Sequence, residues 1–245
     1  TGFLEGEDAL ATLQAFRDMG VVIEGPERGR VRVHGVGLHG LKPAPGPLYV
    51  GNSGTSMRLL SGILSAQPFD TVMTGDASLA KRPMERIAKP LRLMGADIQT
   101  TGERGTPPVS VHGTSTAAKG GLKGIHYDMP VASAQVKSGV LLAGLWADGE
   151  TSVTEPAPTR DHTERMLKGF GYEVKVQGAT ASLRGGGKLT ATKIDVPSDI
   201  SSAAFFLVAA SIAPNSDLTL EHVGINPTRV GVINILKAMG GNLEV

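Results

Sequence analysis

The residues best suited to chemistry in this chain lie at the starts of predicted helices. Residues 51–58 read GNSGTSMR and join a β-prone run to an apolar helix. Backbone amides at a helix N-terminus, together with the positive end of the helix dipole, attract anions. Glycine lets a ligand approach the main chain, while Asn52, Ser53 and Thr55 can add hydrogen bonds. The run therefore predicts an anion site, although Ser53 also fits an ordinary helix cap.

A second run of this kind, GDASLAKRPM at residues 75–84, also leads from a strand into a helix. Pro83 suits the first helical turn. Arg82, just before it, can present a planar guanidinium to a carboxylate or a phosphate. The alternative for Lys81 and Arg82 is a solvated basic pair on the surface.

The run ASAQVKS at residues 132–138 opens another apolar helix. Ser133 and Gln135 carry groups that can bind hydroxyls or phosphate oxygens. Ser133 is also a candidate N-cap, so the functional and structural interpretations both remain open for it.

The run PTRDHTE at residues 158–164 begins the next helix. Thr159 and Asp161 are candidates for its N-cap. Arg160 is a candidate anion ligand, and a surface salt bridge is the alternative for it. His162 is expected on the helix surface.

Composition excludes several kinds of function. The 245 residues carry a net charge of +1, so no global field attracts nucleic acid or an acidic membrane, and any anion site must be built locally. The absence of cysteine excludes disulfides and thiolate chemistry. The six histidines lack the spacing of a zinc site. No apolar run reaches membrane-spanning length, and the expected location is the cytoplasm.

An internal repeat organises the chain. An amphipathic helix ending in glycine recurs four times, with its marker glycines at positions 20, 95, 171 and 240. Between these lie polar starts of apolar helices, at residues 52–55, 132–135 and 199–202. Alternating β-prone runs complete each unit of roughly 70 residues, which gives the order βαβαββ.

This repeat predicts an inside-out α/β fold. Three units fill residues 1–195, and residues 196–245 begin a fourth. Helices that are apolar nearly all round belong inside the domain rather than on its surface. Equivalent helix starts should meet at one end of the domain, where Arg82 and Arg160 would complete a site for a substrate with more than one negative group.

Five sequence motifs, in a fixed order, resemble those of a known family. They are GNSGT at 51–55, GDASL with KRPM at 75–84, SAQVKS at 133–138, TRDHT at 159–163 and DISSA at 199–203. In this order they resemble the 5-enolpyruvylshikimate-3-phosphate (EPSP) synthase family over essentially the whole chain. The SAQ and TRDH forms are similar to its bacterial class II branch.

The resemblance implies two domains, each of three βαβαββ units with the helices inside, and it assigns roles to individual residues. The positions that match phosphoenolpyruvate ligands are Asn52, Gly54, Thr55, Arg82 and Gln135. The positions that match shikimate 3-phosphate ligands are Ser133, Ala134, Gln135 and Arg160. Asp199 matches an acidic position near the cleft between the domains, and Lys81 is a neighbour of the site rather than a ligand.

The activity implied is transfer of the enolpyruvyl group of phosphoenolpyruvate to the 5-hydroxyl of shikimate 3-phosphate, with release of phosphate, by proton transfer and electrostatic stabilisation. The family needs neither a metal nor an organic cofactor, and its members are usually monomers. Gly54 keeps the small residue beside phosphoenolpyruvate, which implies sensitivity to the inhibitor glyphosate.

Three departures from the family pattern bear on activity. The family's Lys-Ser-x-Ser-x-x-Arg segment would precede Thr1, and the acid/base Asp, Glu and Lys of the second domain would follow Val245. We therefore expect a fragment that turns over no substrate alone. Ser198 stands where the motif usually has glycine, which would alter a hinge turn.

Two alternatives compete with this interpretation. The sister enzyme that transfers enolpyruvate to UDP-N-acetylglucosamine shares the fold, but it normally carries a loop Cys or Asp, and this chain has no cysteine. The other alternative is a binding fragment without catalytic activity. Complete absence of shikimate 3-phosphate binding by the folded chain would argue for a scaffold.

Overall fold

Alternating apolar and β-prone runs fold into eight α-helices and ten strands in the computed structural model, which describes residues 1–245. The helices are α1 (Glu7–Asp18), α2 (Gly54–Leu64), α3 (Glu85–Leu93), α4 (Gly113–Ala118), α5 (Ala134–Gly144), α6 (His162–Gly169), α7 (Ile200–Ile212) and α8 (Gly231–Ala238). The strands are β1 (Ile23–Glu27), β2 (Arg30–Val33), β3 (Leu48–Tyr49), β4 (Asp70–Thr74), β5 (Ile98–Thr100), β6 (Val109–His112), β7 (His126–Asp128), β8 (Glu150–Thr154), β9 (Lys175–Gln177) and β10 (Thr180–Arg184).

Two four-stranded sheets carry the repeat, with strand orders β3-β4-β6-β5 and β7-β8-β10-β9. In each sheet the first pair is parallel and the other pairs are antiparallel. Helices α2 and α3 alternate in the chain with the strands of the first sheet, and α5 and α6 alternate with those of the second. Both units therefore have the predicted order βαβαββ. The N-terminal residues differ, because they supply only α1 and the antiparallel pair β1-β2 instead of a full set of elements.

The four marker glycines end helices as the pattern predicted. Gly20, Gly95, Gly171 and Gly240 follow α1, α3, α6 and α8 with φ angles of 85°, 98°, 77° and 91°. This left-handed conformation carries no steric penalty for glycine, so these residues stop each helix and turn the chain towards the next run.

Helices α2 and α5 both contribute to the main hydrophobic core, and their backbones come into direct contact. A methyl group at Gly62 would lie 2.1 Å from the carbonyl oxygen of Gly139, and one at Gly139 would lie 2.9 Å from the carbonyl oxygen of Arg58. Glycine is therefore required where the two helices cross. Because the crossing is tight, it fixes the N-terminus of α2 relative to that of α5.

The chain divides into two compact units, Leu4–Thr192 and a smaller one that combines Thr1–Phe3 with Lys193–Val245. The sequence had placed residues 1–195 in one domain. The first three residues instead belong with the C-terminal unit, where the Thr1 amine donates to the Ile194 carbonyl at 2.9 Å and the Val196 amide donates to the Thr1 carbonyl at 3.0 Å.

Helix α7 does not follow the expectation that apolar helices lie inside. Phe205 is 79% exposed and Ile212 is 77% exposed. The buried residues of the smaller unit form a cluster of Ile200, Ala203 and Ile233, since α8 is the one helix that packs against α7 there. No helix in the structure has both the length and the apolar character needed to span a membrane.

Candidate anion-binding site

The start of α2 is held by two hydrogen-bond systems. Ser53 caps the helix, its hydroxyl accepting a bond from the Ser56 amide at 3.1 Å, as one interpretation of the sequence predicted. Asn52 connects this turn to the predicted second run. Its side chain donates to Asp76 at 2.7 Å and accepts from Arg82 at 2.5 Å. Residues 51–58 and 75–84 are thus joined by hydrogen bonds through Asn52.

Asp76 orients Asn52, a role that the sequence did not single out. One carboxylate oxygen accepts from the Asn52 side chain and the other accepts from the Leu79 amide at 2.7 Å. The hydrogen bond from Asn52, followed by that from Leu79, lowers the pKa of the Asp76 carboxyl. The ionised carboxylate fixes the amide of Asn52 so that its oxygen points at Arg82.

Arg58 is the most important residue of the site that sequence reasoning did not assign. Its guanidinium donates to the side-chain oxygen of Gln135 at 2.6 Å and to the Pro83 carbonyl at 3.1 Å. Burial, and then the nearby charges of Arg82 and Arg86, lower its pKa. Its position four residues after Gly54 was the available signal, because residues i and i+4 share one helix face.

Arg58 and Arg82 lie beside the same glycine, and neither forms a hydrogen bond or a salt bridge with a carboxylate, although the charge of Arg82 acts on Asp76. A methyl group at Gly54 would lie 3.0 Å from Nη1 of Arg58 and 3.2 Å from Nη1 of Arg82. All hydrogen-bond acceptors of the two guanidiniums are neutral amide or carbonyl oxygens. Their charge is therefore available to a ligand, and the two forks suit carboxylate or phosphate oxygens.

Gln135 joins the starts of α2 and α5. Besides accepting from Arg58, its side chain donates to the Thr55 hydroxyl at 2.7 Å. Ser133 caps α5, accepting from the Val136 amide at 3.4 Å. Two helix N-termini and two guanidiniums thus meet at one place, which can bind an anionic ligand.

Comparison with known proteins decides the family. The model of the family described as "EPSP synthase (3-phosphoshikimate 1-carboxyvinyltransferase)" matches residues 1–245. The chain belongs to the EPSP synthase family. It is 65% identical to the 3-phosphoshikimate 1-carboxyvinyltransferase of Methylococcus capsulatus over 100% of this chain and 55% of that protein. It is 63% identical to that of Alkalilimnicola ehrlichii, over 100% of this chain and 54% of that protein.

A solved structure of EPSP synthase from Acinetobacter baumannii is 74% identical, with a TM-score of 0.89, over 98% of this chain and 53% of that one. The inside-out α/β fold predicted from the repeat is therefore the fold of the EPSP synthase family. The chain spans about half the length of the relatives it matches.

Arg160, which the EPSP synthase resemblance assigned to a phosphate, forms no hydrogen bond with Ser133 or Gln135. It lies exposed in the loop between β8 and α6, where no hydrogen bond or ion pair engages its guanidinium. Of the two neighbouring cap candidates, Thr159 is not the N-cap, because that position is occupied by Asp161. The Thr159 hydroxyl instead donates to Glu155 at 2.5 Å. Asp161 occupies the N-cap position of α6 without a capping hydrogen bond from its side chain.

Three further residues named from the sequence lie in the same region. Lys81 is exposed in a short helical turn before the site. Pro83 precedes α3, which begins at Glu85, so its predicted place in the first helical turn is wrong. His162 lies exposed at the start of α6, as expected.

Asp199, expected near a cleft, caps α7 in the smaller unit. Its carboxylate accepts from the amides of Ser201 at 3.1 Å and Ser202 at 3.3 Å. Burial acts to raise its pKa, but these bonds outweigh burial and the pKa is lowered. Across the chain, no group of three or more His, Asp or Glu side chains is arranged to hold a metal ion.

Proposed function

We propose that this chain supplies the substrate-binding wall of an enzyme that transfers the enolpyruvyl group of phosphoenolpyruvate to shikimate 3-phosphate. The observation that supports this most directly is the pair of guanidiniums, Arg58 and Arg82, which lie beside Gly54 and form no hydrogen bond with a carboxylate. A site of this kind suits a compact ligand with two anionic groups, and phosphoenolpyruvate carries its carboxylate and its phosphate on the same carbon.

Phosphoenolpyruvate is placed at the start of α2. Arg58 and Arg82 bind its acidic groups, and Asn52 holds Arg82 in position. Gly54 leaves the space beside both guanidiniums open, since any larger side chain would occupy it. The positive end of α2 and the hydroxyl of Thr55 add to the attraction.

Shikimate 3-phosphate is placed at the start of α5, next to phosphoenolpyruvate. Ser133, Ala134 and Gln135 contact it there, and Arg160 binds its phosphate. Gln135 adjoins both substrates, because its side chain is bonded to Arg58 and Thr55 of α2. The two substrates are thereby held against each other, which favours their reaction by proximity.

In the reaction, the methylene carbon of phosphoenolpyruvate gains a proton while the 5-hydroxyl oxygen of shikimate 3-phosphate bonds to the neighbouring carbon and loses its own proton. Phosphate leaves this tetrahedral intermediate as the methyl group gives up a proton, restoring the double bond. The resemblance assigns the proton transfers to Asp, Glu and Lys residues of the family's second domain. The contribution of this chain is to bind, orient and stabilise the anions.

Calorimetry on this chain tests the binding half of the proposal, with phosphoenolpyruvate, shikimate 3-phosphate and UDP-N-acetylglucosamine titrated separately. We expect shikimate 3-phosphate to bind and UDP-N-acetylglucosamine not to bind. The reverse result would favour the sister transferase. A folded chain that binds neither would be a scaffold without a substrate site.

A chimera tests catalysis. This chain replaces the matching 53% of the Acinetobacter baumannii EPSP synthase, to which it is 74% identical, and phosphate release from both substrates is measured. We expect the chimera to be active and the chain alone to be inactive. Phosphate release by the chain alone, free of host enzyme, would contradict the second expectation.

Three further properties are proposed with this function. Glyphosate should compete with phosphoenolpyruvate, since Gly54 leaves room beside the arginines; a glyphosate Ki for the chimera far above its KM for phosphoenolpyruvate would contradict this. The active protein should be a monomer, which sedimentation measures. Its place of action should be the cytoplasm, which fractionation of source cells tests.

A further inference from the structure

A buried lysine lies one helical turn behind the proposed shikimate 3-phosphate contacts. The side chain of Lys137 is 3% exposed, and its ammonium lies 2.7 Å from Glu164 and 3.3 Å from Glu155, whose side chains are 5% and 11% exposed. The Lys137 amide donates to the Ser133 carbonyl at 3.1 Å. The ammonium is thus attached to the helix turn that carries Ser133 and Gln135.

The two carboxylates lie on either side of Arg160 in the chain. Glu155 follows β8 directly, and its second oxygen accepts the hydroxyl of Thr159 at 2.5 Å. Glu164 is in the first turn of α6, after Arg160. The loop that carries Arg160 is therefore tied to Lys137 from both ends, through Thr159 and Glu155 before it and through Glu164 after it.

A neighbouring contact strengthens the same connection. The hydroxyl of Thr163 donates to that of Ser138 at 2.7 Å, which joins α6 to α5 a second time. The Glu155 amide donates to the Ala179 carbonyl at 3.0 Å, so the start of the loop is fixed to the sheet. Arg160 is an exposed side chain on a loop whose flanking residues are held firmly.

Burial of these three charged groups has a large desolvation cost in free energy. Taking ions out of water is unfavourable, and apolar residues of similar size often replace buried ion pairs without loss. Here a single ammonium faces two carboxylates, and Oε2 of Glu164 is buried without a hydrogen-bond partner. A requirement for fixed geometry accounts for such a cluster better than a requirement for stability does.

We propose that Lys137, Glu155 and Thr159 are positioning residues that hold Arg160 against the phosphate of shikimate 3-phosphate. The proposal rests on the function proposed above. None of the three needs to touch substrate. Lys137 fixes Glu155, Glu155 fixes Thr159, and Thr159 sets the backbone from which the adjacent guanidinium reaches the ligand.

Thr159→Val is the decisive variant, because it removes the hydroxyl and leaves the buried charges in place. Calorimetry should show shikimate 3-phosphate binding about tenfold weaker, the loss typical of one hydrogen bond to a charged group, with phosphoenolpyruvate binding unchanged. Thr159→Ser keeps a hydroxyl and should restore affinity. Thr101→Val is the matched control, since it removes an exposed hydroxyl bonded to the Pro108 carbonyl at 3.0 Å.

Two readouts separate positioning from a general loss of structure. Amide hydrogen exchange at residues 159–161 should become faster in Thr159→Val and stay unchanged in Thr159→Ser. Lys137→Met should weaken shikimate 3-phosphate binding if it folds, whereas Lys123→Met, which removes an exposed pair with Asp148 at 3.1 Å, should not. If Lys137→Met does not fold, the Thr159 variants still decide.

The outcomes distinguish this proposal from the one it rests on. If the unchanged chain binds shikimate 3-phosphate and Thr159→Val binds it equally well, the positioning role is wrong and the proposed function stands. Equally weakened binding of both substrates by Thr159→Val would also overturn the positioning role, because such a result would indicate general damage to the structure. If the unchanged chain binds no shikimate 3-phosphate, the proposed function fails and the positioning role fails with it.

Discussion

Arg58 donates a hydrogen bond of 2.6 Å to the side-chain oxygen of Gln135, a residue 77 positions away in the chain. The bond connects the N-terminal parts of α2 and α5, which belong to different units of the repeat. It also leaves the Arg58 guanidinium with only neutral partners. One contact thus aligns two helix N-termini while it preserves a positive charge for a ligand.

Gln135→Glu should weaken phosphoenolpyruvate binding without unfolding the chain. The new carboxylate has nearly the same shape as the amide and would form an ion pair with Arg58, so the charge that attracts the anion would be neutralised. We expect a loss of about tenfold or more in calorimetry, and a weaker dependence of binding on salt. Gln135→Met tests whether the charge matters, since it removes the same contacts without adding a carboxylate. Equal losses in the two variants would contradict the electrostatic explanation.

Gly54→Ala should also weaken phosphoenolpyruvate binding, by about tenfold, because its methyl group would lie 3.0–3.2 Å from both guanidiniums and displace them. Shikimate 3-phosphate binding should change less. Gly231→Ala is a matched control, since Gly231 also begins a helix and a methyl group there would meet nothing within 4 Å. Unchanged phosphoenolpyruvate affinity in Gly54→Ala would show that the ligand does not use this space.

Gly62→Ala should destabilise the larger unit by about 1–3 kcal/mol or more, measured as the free energy of unfolding in urea. The added methyl group would lie 2.1 Å from the Gly139 carbonyl oxygen, and the two helices would have to move apart. Gly46→Ala, where a methyl group meets nothing within 4 Å, is the control. An equally small change in both variants would mean that the helix crossing tolerates separation.

The stabilising contribution of Glu85 should be lost in acid. Its carboxylate accepts from Arg92 at 2.7 and 3.1 Å and from Thr100 at 2.5 Å, and the bond from Arg92 is the main cause that holds its pKa below the usual 4.5. A lowered pKa in the folded state stabilises the protein above the usual value, and that contribution disappears as the pH falls through the lowered one.

Glu85→Gln should therefore be less stable than the unchanged chain at pH 7, by no more than about 1 kcal/mol because the pair is half exposed. The difference should shrink as the pH falls below the usual pKa of 4.5. Urea unfolding at several pH values measures it. Glu103→Gln, at an exposed carboxylate with no ion pair, is the control. A difference that grows in acid would have the wrong sign for this linkage.

The sequence by itself determined the local elements and their order. Glycine spacing located the helix ends at Gly20, Gly95, Gly171 and Gly240, since the left-handed turn is a property of the residue type. Ser53 and Ser133 cap their helices as their positions predicted. The βαβαββ order of the two complete units, and the family resemblance, were also readable, because both depend on neighbours in the chain.

Only the tertiary structure decided which residues work together. The contacts of Arg58 with Gln135, of Asn52 with Asp76 and of Lys137 with Glu164 each join different elements. A hydrogen bond has a reach of about 3 Å, and no local pattern specifies which distant side chain comes within it. The exposure of α7 was missed for the same reason. Burial depends on what else packs there, while the apolar pattern records only the preference of the helix.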